Sequence, residues 1–287
     1  MAAHSPSRII FTGRSSSRAE TIISTAKETC PSVIVTFLAL DLGSLESVKA
    51  GAKTFLSLFP TGEKPRLDIM ICNAGVMALP PGITSDGYEI QFGTNYLGHA
   101  LLVKLLLPTL LSTASLPSSD VRIVSLSSLA FSGHPSGGIL FDSLKSEQNI
   151  FFPGTGPWQR YGQSKLANIL YASELARKYG SSDDGNLTSV SVHPGTFNTH
   201  LIKSLGIINR VLIYFVNLGN VKDETREGEG GWNTCWAAVT PKDNIVNGGF
   251  YTPVGIKGKQ FRESGNEKLA KQLWDWTEKE LVGWSLD

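Results

Sequence analysis

Hydrophobic positions alternate along the chain between short continuous runs and sets at helical spacing. The continuous runs predict buried strands over residues 8–12, 33–40, 67–72, 121–126, 187–192 and 248–252. The helically spaced sets predict helices over residues 15–28, from residue 44, and over 88–111, 158–179, 228–239 and 267–281. Strands that are apolar on both faces and alternate with helices indicate a parallel sheet covered on both sides. The sequence therefore predicts one doubly wound α/β domain over residues 1–287.

Composition and charge narrow the possible partners. With 41% hydrophobic and 18% charged residues, the 287-residue chain is typical of a globular protein. The net charge is +1 and no basic stripe occurs, so nucleic acid is not expected to bind. The three cysteines have no metal-like spacing, which predicts free thiols and no metal site. Since no signal peptide precedes the first strand, a cytoplasmic location is expected.

One apolar stretch, residues 205–218, stands outside the predicted core elements. It is too short to span a bilayer and contains Arg210, so no transmembrane segment is predicted. Two interpretations stay open. Residues 201–220 form an apolar lid over a substrate pocket, or the stretch makes a weak contact with a membrane surface.

The candidate chemistry centres on Tyr161 and Lys165, which lie four residues apart on one helix face. An ammonium close to a phenol favours the phenolate, so Lys165 is expected to lower the pKa of Tyr161. Ser127 and Ser128 follow the strand 121–126 and offer a hydroxyl to a substrate oxygen. Such a set suits proton transfer for a carbonyl/alcohol pair. Alternatively, Tyr161 and Lys165 are a pair on the exposed surface of a helix.

Several polar residues and turns follow the predicted strands. Asp41, Asn73, Ser128 and the Pro194-Gly195 turn each stand at the carboxyl end of a strand. Ligands of open parallel sheets bind at that edge. The sequence therefore predicts a ligand site there. His99 is interpreted as a packed helix residue and His193 as a structural one.

The run YGQSKLANILYASELAR, which begins at Tyr161, and the turn Asn73-Ala74-Gly75 resemble the short-chain dehydrogenase/reductase family. The resemblance is to its retinol-dehydrogenase-like and fungal branch, and it extends from about Ser7 to the C-terminus. It implies a Rossmann-like fold, NADP as cofactor, a small apolar carbonyl or alcohol substrate, and a homodimer or homotetramer. The catalytic residues that it implies are Tyr161, Lys165, Ser128 and Asn95. The cofactor-binding residues that it implies are Arg14, Ser15, Asp41, Leu42, Asn73, Ala74, Gly75, Tyr161, Lys165, Pro194, Gly195 and Thr199.

The beginning of the chain departs from the family pattern. Family members open with Thr-Gly-x-x-x-Gly-x-Gly, whose glycines let the backbone approach a pyrophosphate. Here Thr12-Gly13 is followed by Ser17 and Ala19 in place of the later glycines, and two strand-helix units precede the Asn-Ala-Gly strand instead of three. Two alignments are possible. Residues 8–28 are the second unit, with Arg14 and Ser15 reading an NADP 2′-phosphate, or they are a first unit that lost its glycines.

A missing first unit has a structural consequence. The family's strand order is 3-2-1-4-5-6-7, so the first strand is central. Its loss leaves backbone N–H and C=O groups without a strand partner. Each such group that is buried destabilises the fold by about 1–3 kcal/mol. We expect either that the remaining strands close the gap, with residues 8–12 beside 67–72, or that this end of the sheet is distorted.

Three functions are compatible with the residues. The first is an NADP-dependent oxidoreductase that interconverts a ketone or aldehyde with an alcohol on a bulky apolar substrate, such as a retinoid, steroid or lipid aldehyde. The second is a cofactor-independent isomerase, cyclase or dehydratase that reuses Tyr161 and Ser128. The third is a non-catalytic, truncated member of the family.

Overall fold

The computed structural model describes residues 1–151, 154–181, 186–195 and 229–286. The strands are β1 (Arg8–Gly13), β2 (Ile34–Ala39), β3 (Ile69–Cys72), β4 (Val121–Leu126), β5 (Leu187–Val192), β6 (Phe250–Thr252) and β7 (Ile256–Lys257). The helices are α1 (Ser16–Thr29), α2 (Leu45–Ser57), α3 (Ile90–Phe92), α4 (Gly98–Ala114), α5 (Gly156–Tyr179), α6 (Glu229–Val239) and α7 (Glu267–Glu280). A π-helical turn, Gly93–Leu97, joins α3 to α4. Thr199 and residues 201–220 lie outside the described residues.

The strands form two sheets. β1 and β2 pair in parallel along their whole length, from Arg8 opposite Ile34 to Gly13 opposite Ala39. The second sheet has the order β3-β4-β5-β6-β7, and all its pairs are parallel except the short antiparallel edge strand β7. The predicted doubly wound, mostly parallel α/β fold is confirmed. β7 was not predicted from the sequence because it has only two residues.

The split between the sheets falls where a strand is missing. Among the described strands, β1 pairs with β2 and does not pair with β3. The order β2-β1 followed by β3-β4-β5-β6 is the order that remains when the first strand is removed from the family sheet. A first unit that had lost only its glycines would pair with β3. The pairing therefore favours the second-unit alignment of residues 8–28.

The expectation that residues 8–12 move beside 67–72 is wrong, and the sheet is interrupted instead. The burial of the strands gives the physical reason. β1 is half-exposed along most of its length, and Ile34 of β2 is 55% exposed. Water can satisfy unpaired backbone groups along the half-exposed β1, which lowers the cost of leaving them without a strand partner. β5, by contrast, is buried at every position.

The main core lies between the five-stranded sheet and α4 and α5. Leu101 of α4, Leu166 of α5 and Ile123 of β4 are fully buried there. The span Ile90–Ala114 is long and apolar enough to cross a membrane, but most of it is buried inside the fold. Helices of a protein core have the same composition, so α4 is accounted for by the core.

The C-terminal helix α7 covers one face of α5. Trp274 stacks on Tyr171 with ring centroids 5.5 Å apart, and the Lys178 ammonium lies 4.9 Å from the centre of the Trp274 ring. Thr277 of α7 hydrogen-bonds the Tyr96 hydroxyl. Aromatic stacking and cation–π contacts add to the burial of these side chains. α7 therefore fixes α5 from the side away from the sheet.

Candidate functional site

Helix α5 carries Tyr161 and Lys165 to the end of β4. Both side chains are buried, at 6% and 5% exposure. The Lys165 Nζ atom donates a 3.0 Å hydrogen bond to the Leu126 carbonyl oxygen and lies 5.7 Å from the centre of the Tyr161 ring. The predicted pair is therefore not a surface pair. It lies on the face of α5 that packs on the sheet.

The two candidate serines have different surroundings. Ser127 is buried and its hydroxyl donates a 2.8 Å hydrogen bond to the Lys165 carbonyl oxygen, which ties β4 to α5. The Ser128 hydroxyl accepts from the Ala130 amide at 3.2 Å and lies close enough to the Tyr161 phenol to lower its pKa. Ser128 is thus the serine beside the phenol, as predicted, and Ser127 is structural.

The approach of α5 to the loop after Ser128 depends on Gly162. A Cβ added there would lie 2.7 Å from the Ala130 carbonyl oxygen, closer than such atoms come in real structures. Glycine at this position lets the helix lie against the loop backbone. This contact brings the Tyr161 segment of the helix next to the loop that follows Ser128.

Burial sets the acidity of the two central groups. It raises the pKa of Tyr161 to about 12, and the nearby Ser128 side chain only partly opposes this. It lowers the pKa of Lys165 to about 8. The expectation that Lys165 lowers the pKa of Tyr161 is therefore not met, because the ammonium bonds the Leu126 carbonyl while the phenolate would lack solvent. Tyr161 is protonated at neutral pH and can act as a proton donor.

Asn95 lies in the π-helical turn before α4. Its Oδ1 accepts from the Val76 amide at 2.7 Å, and its Nδ2 donates to the Val76 carbonyl at 2.8 Å and to the Ser164 hydroxyl at 2.9 Å. A π turn inside a helix is frequently found at functional sites. In this structure the Asn95 side chain clamps the loop after β3 against α5. Its role in a proton relay stays a prediction.

The Asn73-Ala74-Gly75 turn follows β3 and is open to solvent at Asn73 and Ala74. A Cβ at Gly75 would lie 2.8 Å from Asn95 Oδ1 and 3.5 Å from Lys165 Nζ. The missing side chain leaves a small recess between an amide oxygen and an ammonium. Both groups can bind sugar hydroxyls. The residues present therefore fit the ribose and nicotinamide end of a dinucleotide.

Asp41 and Leu42 follow β2 and lie against the start of α4. Asp41 Oδ1 accepts from the Gly43 amide at 2.9 Å, which shapes the turn. A Cβ at Gly98 would lie 2.4 Å from the Leu42 carbonyl oxygen, so the two backbones are in close contact. Asp41 and Leu42 are thus held by the same helix that holds the Asn-Ala-Gly turn.

Pro194 and Gly195 follow β5 and are half-buried. Gly195 has a φ of 104°, a backbone conformation that side chains other than that of glycine rarely adopt. The glycine therefore permits the sharp turn predicted at this strand end. Thr199, the last predicted contact of this turn, lies outside the described residues.

Arg14 and Ser15 follow β1. Arg14 is exposed, and the Ser15 hydroxyl accepts from the Arg18 amide at 3.5 Å to cap α1. Within the described residues no contact joins them to Tyr161, Lys165 or Gly75. The turn between β1 and α1 also lacks the glycines of a pyrophosphate loop. The structure thus assembles the proton-handling residues with the Asn-Ala-Gly turn and leaves Arg14 and Ser15 apart from them.

Three buried residues near the site were missed or undervalued from the sequence. Arg160, next to Tyr161, pairs with Glu89 at 3.3 Å, and both side chains are almost fully buried. His99, taken as a packing residue, bonds the Ala74 carbonyl. An arginine inside an apolar helix and a glutamate at the start of another were the available signals, because buried charges occur in proteins as pairs.

Comparison with known proteins identifies the family. A family model described as short chain dehydrogenase matches residues 1–142. The short-chain dehydrogenase/reductase drtF of Aspergillus calidoustus is 34% identical over 284 residues, which cover 96% of this chain and 85% of that protein. The chain belongs to the short-chain dehydrogenase/reductase family. The family's sequence resemblance, predicted from Tyr161 onward and from the Asn-Ala-Gly turn, is confirmed.

Other members of the short-chain dehydrogenase/reductase family are similar over most of the chain. The polyprenol dehydrogenase of Homo sapiens is 35% identical over 266 residues, 93% of this chain and 75% of that protein. Among solved structures, an uncharacterized protein from Mycobacterium Paratuberculosis aligns with a TM-score of 0.66 and 28% identity, covering 94% of this chain and 82% of the other. Its relationship to these proteins therefore makes it an oxidoreductase of the short-chain dehydrogenase/reductase family.

Proposed function

We propose that this short-chain dehydrogenase/reductase is an NADP-dependent enzyme that interconverts a ketone or aldehyde with an alcohol on a bulky apolar substrate. One observation carries the proposal. Tyr161 is buried and protonated at neutral pH, with the Lys165 ammonium beside it and Ser128 close enough to lower the pKa of the phenol. This is a proton donor and an oxygen-binding hydroxyl in one place, which is what carbonyl reduction requires.

Each residue has a distinct task in the proposed reaction. Ser128 donates a hydrogen bond to the substrate carbonyl oxygen and holds it next to the Tyr161 phenol. Tyr161 gives its proton to that oxygen as the carbonyl carbon becomes tetrahedral. Lys165, whose ammonium lies 5.7 Å from the centre of the Tyr161 ring, would hold the cofactor next to the phenol. NADP, when bound, supplies or accepts the hydride.

The choice of NADP rests on Arg14 and Ser15 at the end of β1. A guanidinium binds a phosphate through two parallel hydrogen bonds, and arginine is the usual partner of an NADP 2′-phosphate. Gly75 and Lys165 would hold the ribose next to the nicotinamide. No glycine-rich pyrophosphate loop occurs in the described residues.

The apolar substrate is supported by the surroundings of the phenol. The Trp158 ring packs edge-on against Tyr161 with centroids 6.2 Å apart, and Leu129, next to Ser128, is 48% exposed. Residues 201–220 would add an apolar cover. Human polyprenol dehydrogenase, a relative over 93% of the chain, is named for a substrate of this chemical type, a long apolar alcohol.

A second candidate function is favoured by one specific observation. The turn from β1 to α1 carries Ser17 and Ala19 at the later glycine positions of the Thr-Gly-x-x-x-Gly-x-Gly pattern. A protein with a complete proton-handling site and a weakened dinucleotide site could work as a cofactor-independent isomerase, cyclase or dehydratase. Tyr161 and Ser128 suit enolisation as well as reduction.

Titration with NADPH and NADH, followed by quenching of tryptophan fluorescence, tests the proposal. We expect saturable binding, tighter for NADPH, and NADPH oxidation in the presence of a long-chain aldehyde or retinal. Tyr161→Phe should abolish turnover and leave NADPH binding within a few fold. The absence of binding at millimolar NADPH would refute the oxidoreductase proposal. Enolisation of a ketone that persists without cofactor and is lost in Tyr161→Phe would favour the second function.

Location and self-association stay proposals. A cytoplasmic location is supported by the free thiols of Cys30, Cys72 and Cys235, which suit a reducing compartment. A homodimer or homotetramer, and a weak membrane contact through residues 205–218, stay predictions. Because α7 covers one face of α5, any pairing through that face must include α7. Sedimentation velocity measures the oligomeric state.

A further inference from the structure

His99 lies on α4, one helical turn after Asn95. Its Nε2 atom lies 2.9 Å from the Ala74 carbonyl oxygen, and the residue is 8% exposed. Its Nδ1 atom is buried and has no hydrogen-bond partner within the described residues. A carbonyl oxygen only accepts, so the hydrogen is on Nε2. Burial lowers the pKa of His99 to about 4, which keeps the ring neutral at physiological pH.

His99 and Asn95 together bracket Gly75. Asn95 holds both backbone groups of Val76, on one side of the glycine, and His99 holds the carbonyl of Ala74 on the other. Two side chains of a single helix thus fix three consecutive backbone units. The recess at Gly75, 3.5 Å from Lys165 Nζ, is formed by this backbone.

The same helical turn also contacts the second cofactor-side loop. Gly98, the residue before His99, lies directly against the Leu42 backbone. A shift of α4 would therefore displace the turns after β2 and β3 together. Among the described strands β3 pairs with β4 alone, and the helical turn with Asn95 and His99 contacts the Asn-Ala-Gly turn directly.

We propose that His99 is a positioning residue that, by donating its Nε2–H to Ala74, holds the Asn73-Ala74-Gly75 turn in register with Lys165 for the cofactor ribose. This rests on the proposed function for the cofactor and on the observed hydrogen bond for the turn. A histidine that only fills space would tolerate any side chain of similar volume. A positioning histidine requires a donor at this point.

Two substitutions separate the two roles. His99→Leu keeps an apolar side chain of related size and removes the donor. His99→Gln keeps an N–H near the position of Nε2. Thr113→Val is the matched control: Thr113 is buried at the far end of α4, and its hydroxyl accepts from the Leu67 amide at 3.1 Å, away from the site.

Two readouts are measured on the whole protein. For His99→Leu we expect NADPH to bind about threefold to tenfold more weakly, with kcat changed less than KM, since a neutral hydrogen bond is lost. In the protein without cofactor, hydrogen exchange of the Val76 amide should become faster. His99→Gln should restore both readouts to within about twofold, and Thr113→Val should change neither.

The outcomes that overturn the proposal are distinct from failure of the proposed function. If the unmodified protein binds no NADPH, the proposed function fails, and exchange of the Val76 amide still decides the role of His99. Equal effects of His99→Leu and His99→Gln would overturn the proposal that His99 positions the turn. Unchanged exchange of the Val76 amide in His99→Leu would overturn it as well. Should His99→Leu not fold, nitrogen NMR of the unmodified protein decides, because a hydrogen on Nδ1 instead of Nε2 excludes the donation to Ala74.

Discussion

Replacing Arg160 by methionine should strongly destabilise the protein, although Arg160 does not belong to the proposed reaction. Its guanidinium is 3.3 Å from Glu89 and donates to the Leu79 carbonyl at 3.1 Å and to the Gln148 carbonyl at 3.4 Å. The Arg160 and Glu89 side chains are 2% and 0% exposed. The substitution leaves a carboxylate in an apolar interior without its counter-charge.

The magnitude follows from breaking a buried ion pair. Removal of one partner costs about 3–5 kcal/mol, a large part of the roughly 5–15 kcal/mol that stabilises an ordinary domain. Burial already raises the pKa of Glu89 to about 7, and Arg160 opposes that rise. Without Arg160 the carboxyl can take up a proton, which keeps the loss within this range instead of exceeding it.

A double-mutant cycle isolates the pair. In the unmodified protein Glu89 Oε2 accepts a 2.6 Å hydrogen bond from the Phe92 amide. Glu89→Gln retains an oxygen for this hydrogen bond but leaves the Arg160 guanidinium without its counter-charge. The double variant Glu89→Gln/Arg160→Met buries no charge at either position. It should be more stable than the sum of the single losses predicts, by about 1–3 kcal/mol. Urea unfolding at pH 7.5, followed by tryptophan fluorescence, measures all four proteins.

Glu89 also makes the stability of the protein depend on pH. Its pKa in the folded state lies above its usual value of 4.5, so folding favours the protonated carboxyl. The contribution of Glu89 to stability is fully present below pH 4.5 and is lost as the pH rises to about 7. Glu89→Gln should remove this part of the pH dependence. A loss below about 1 kcal/mol in Arg160→Met, or strict additivity in the cycle, would refute the reasoning.

Two further substitutions test Lys165 and the C-terminal helix. Burial lowers the pKa of Lys165 from 10.5 to about 8, so between these pH values the unfolded chain holds more protons and stability should rise with pH by roughly 2–3 kcal/mol. Urea unfolding at pH 8 and pH 10 measures this rise in stability, which Lys165→Met should abolish. An equal rise in the variant would assign the effect to another group. Trp274→Ala should cost about 3–5 kcal/mol because the ring is buried against Tyr171. Trp232→Ala, at a 51% exposed position, is the control, and equal losses would contradict the role given to α7.

Local pattern was sufficient for the central strands and the catalytic helix. β4 and β5 begin and end at the predicted residues, because continuous apolar runs occur where a strand is covered on both faces. Tyr161 and Lys165 lie beside each other, as their four-residue spacing predicts, and the catalytic roles of Tyr161, Lys165 and Ser128 stay predictions. These features depend on spacing within one element or on one strand end, and sequence patterns report such information directly.

Tertiary context decided the features that the sequence did not predict. The partner of Arg160 lies 71 positions earlier in the chain, and no local pattern connects it with Glu89. The raised pKa of Tyr161 depends on how much solvent reaches the phenol, not on the four-residue spacing to Lys165. The predicted position of β1 beside β3 was wrong because water can hydrogen-bond the backbone groups of an exposed strand edge. Counting the strands in the sequence does not take this hydration into account.

The interrupted sheet divides the molecule into regions of unequal local stability. β1, α1 and β2 have few deeply buried residues, with Ala19 the only buried one in α1, whereas β4 and β5 belong to the densest part of the core. Opening of the first region therefore costs less free energy than global unfolding. Arg14 and Ser15 are carried by this region, so a ligand that bound them would have to order it and would in turn protect it. Binding of the adenine end of a dinucleotide at Arg14 and Ser15 would thus be thermodynamically coupled to the folding of residues 8–39.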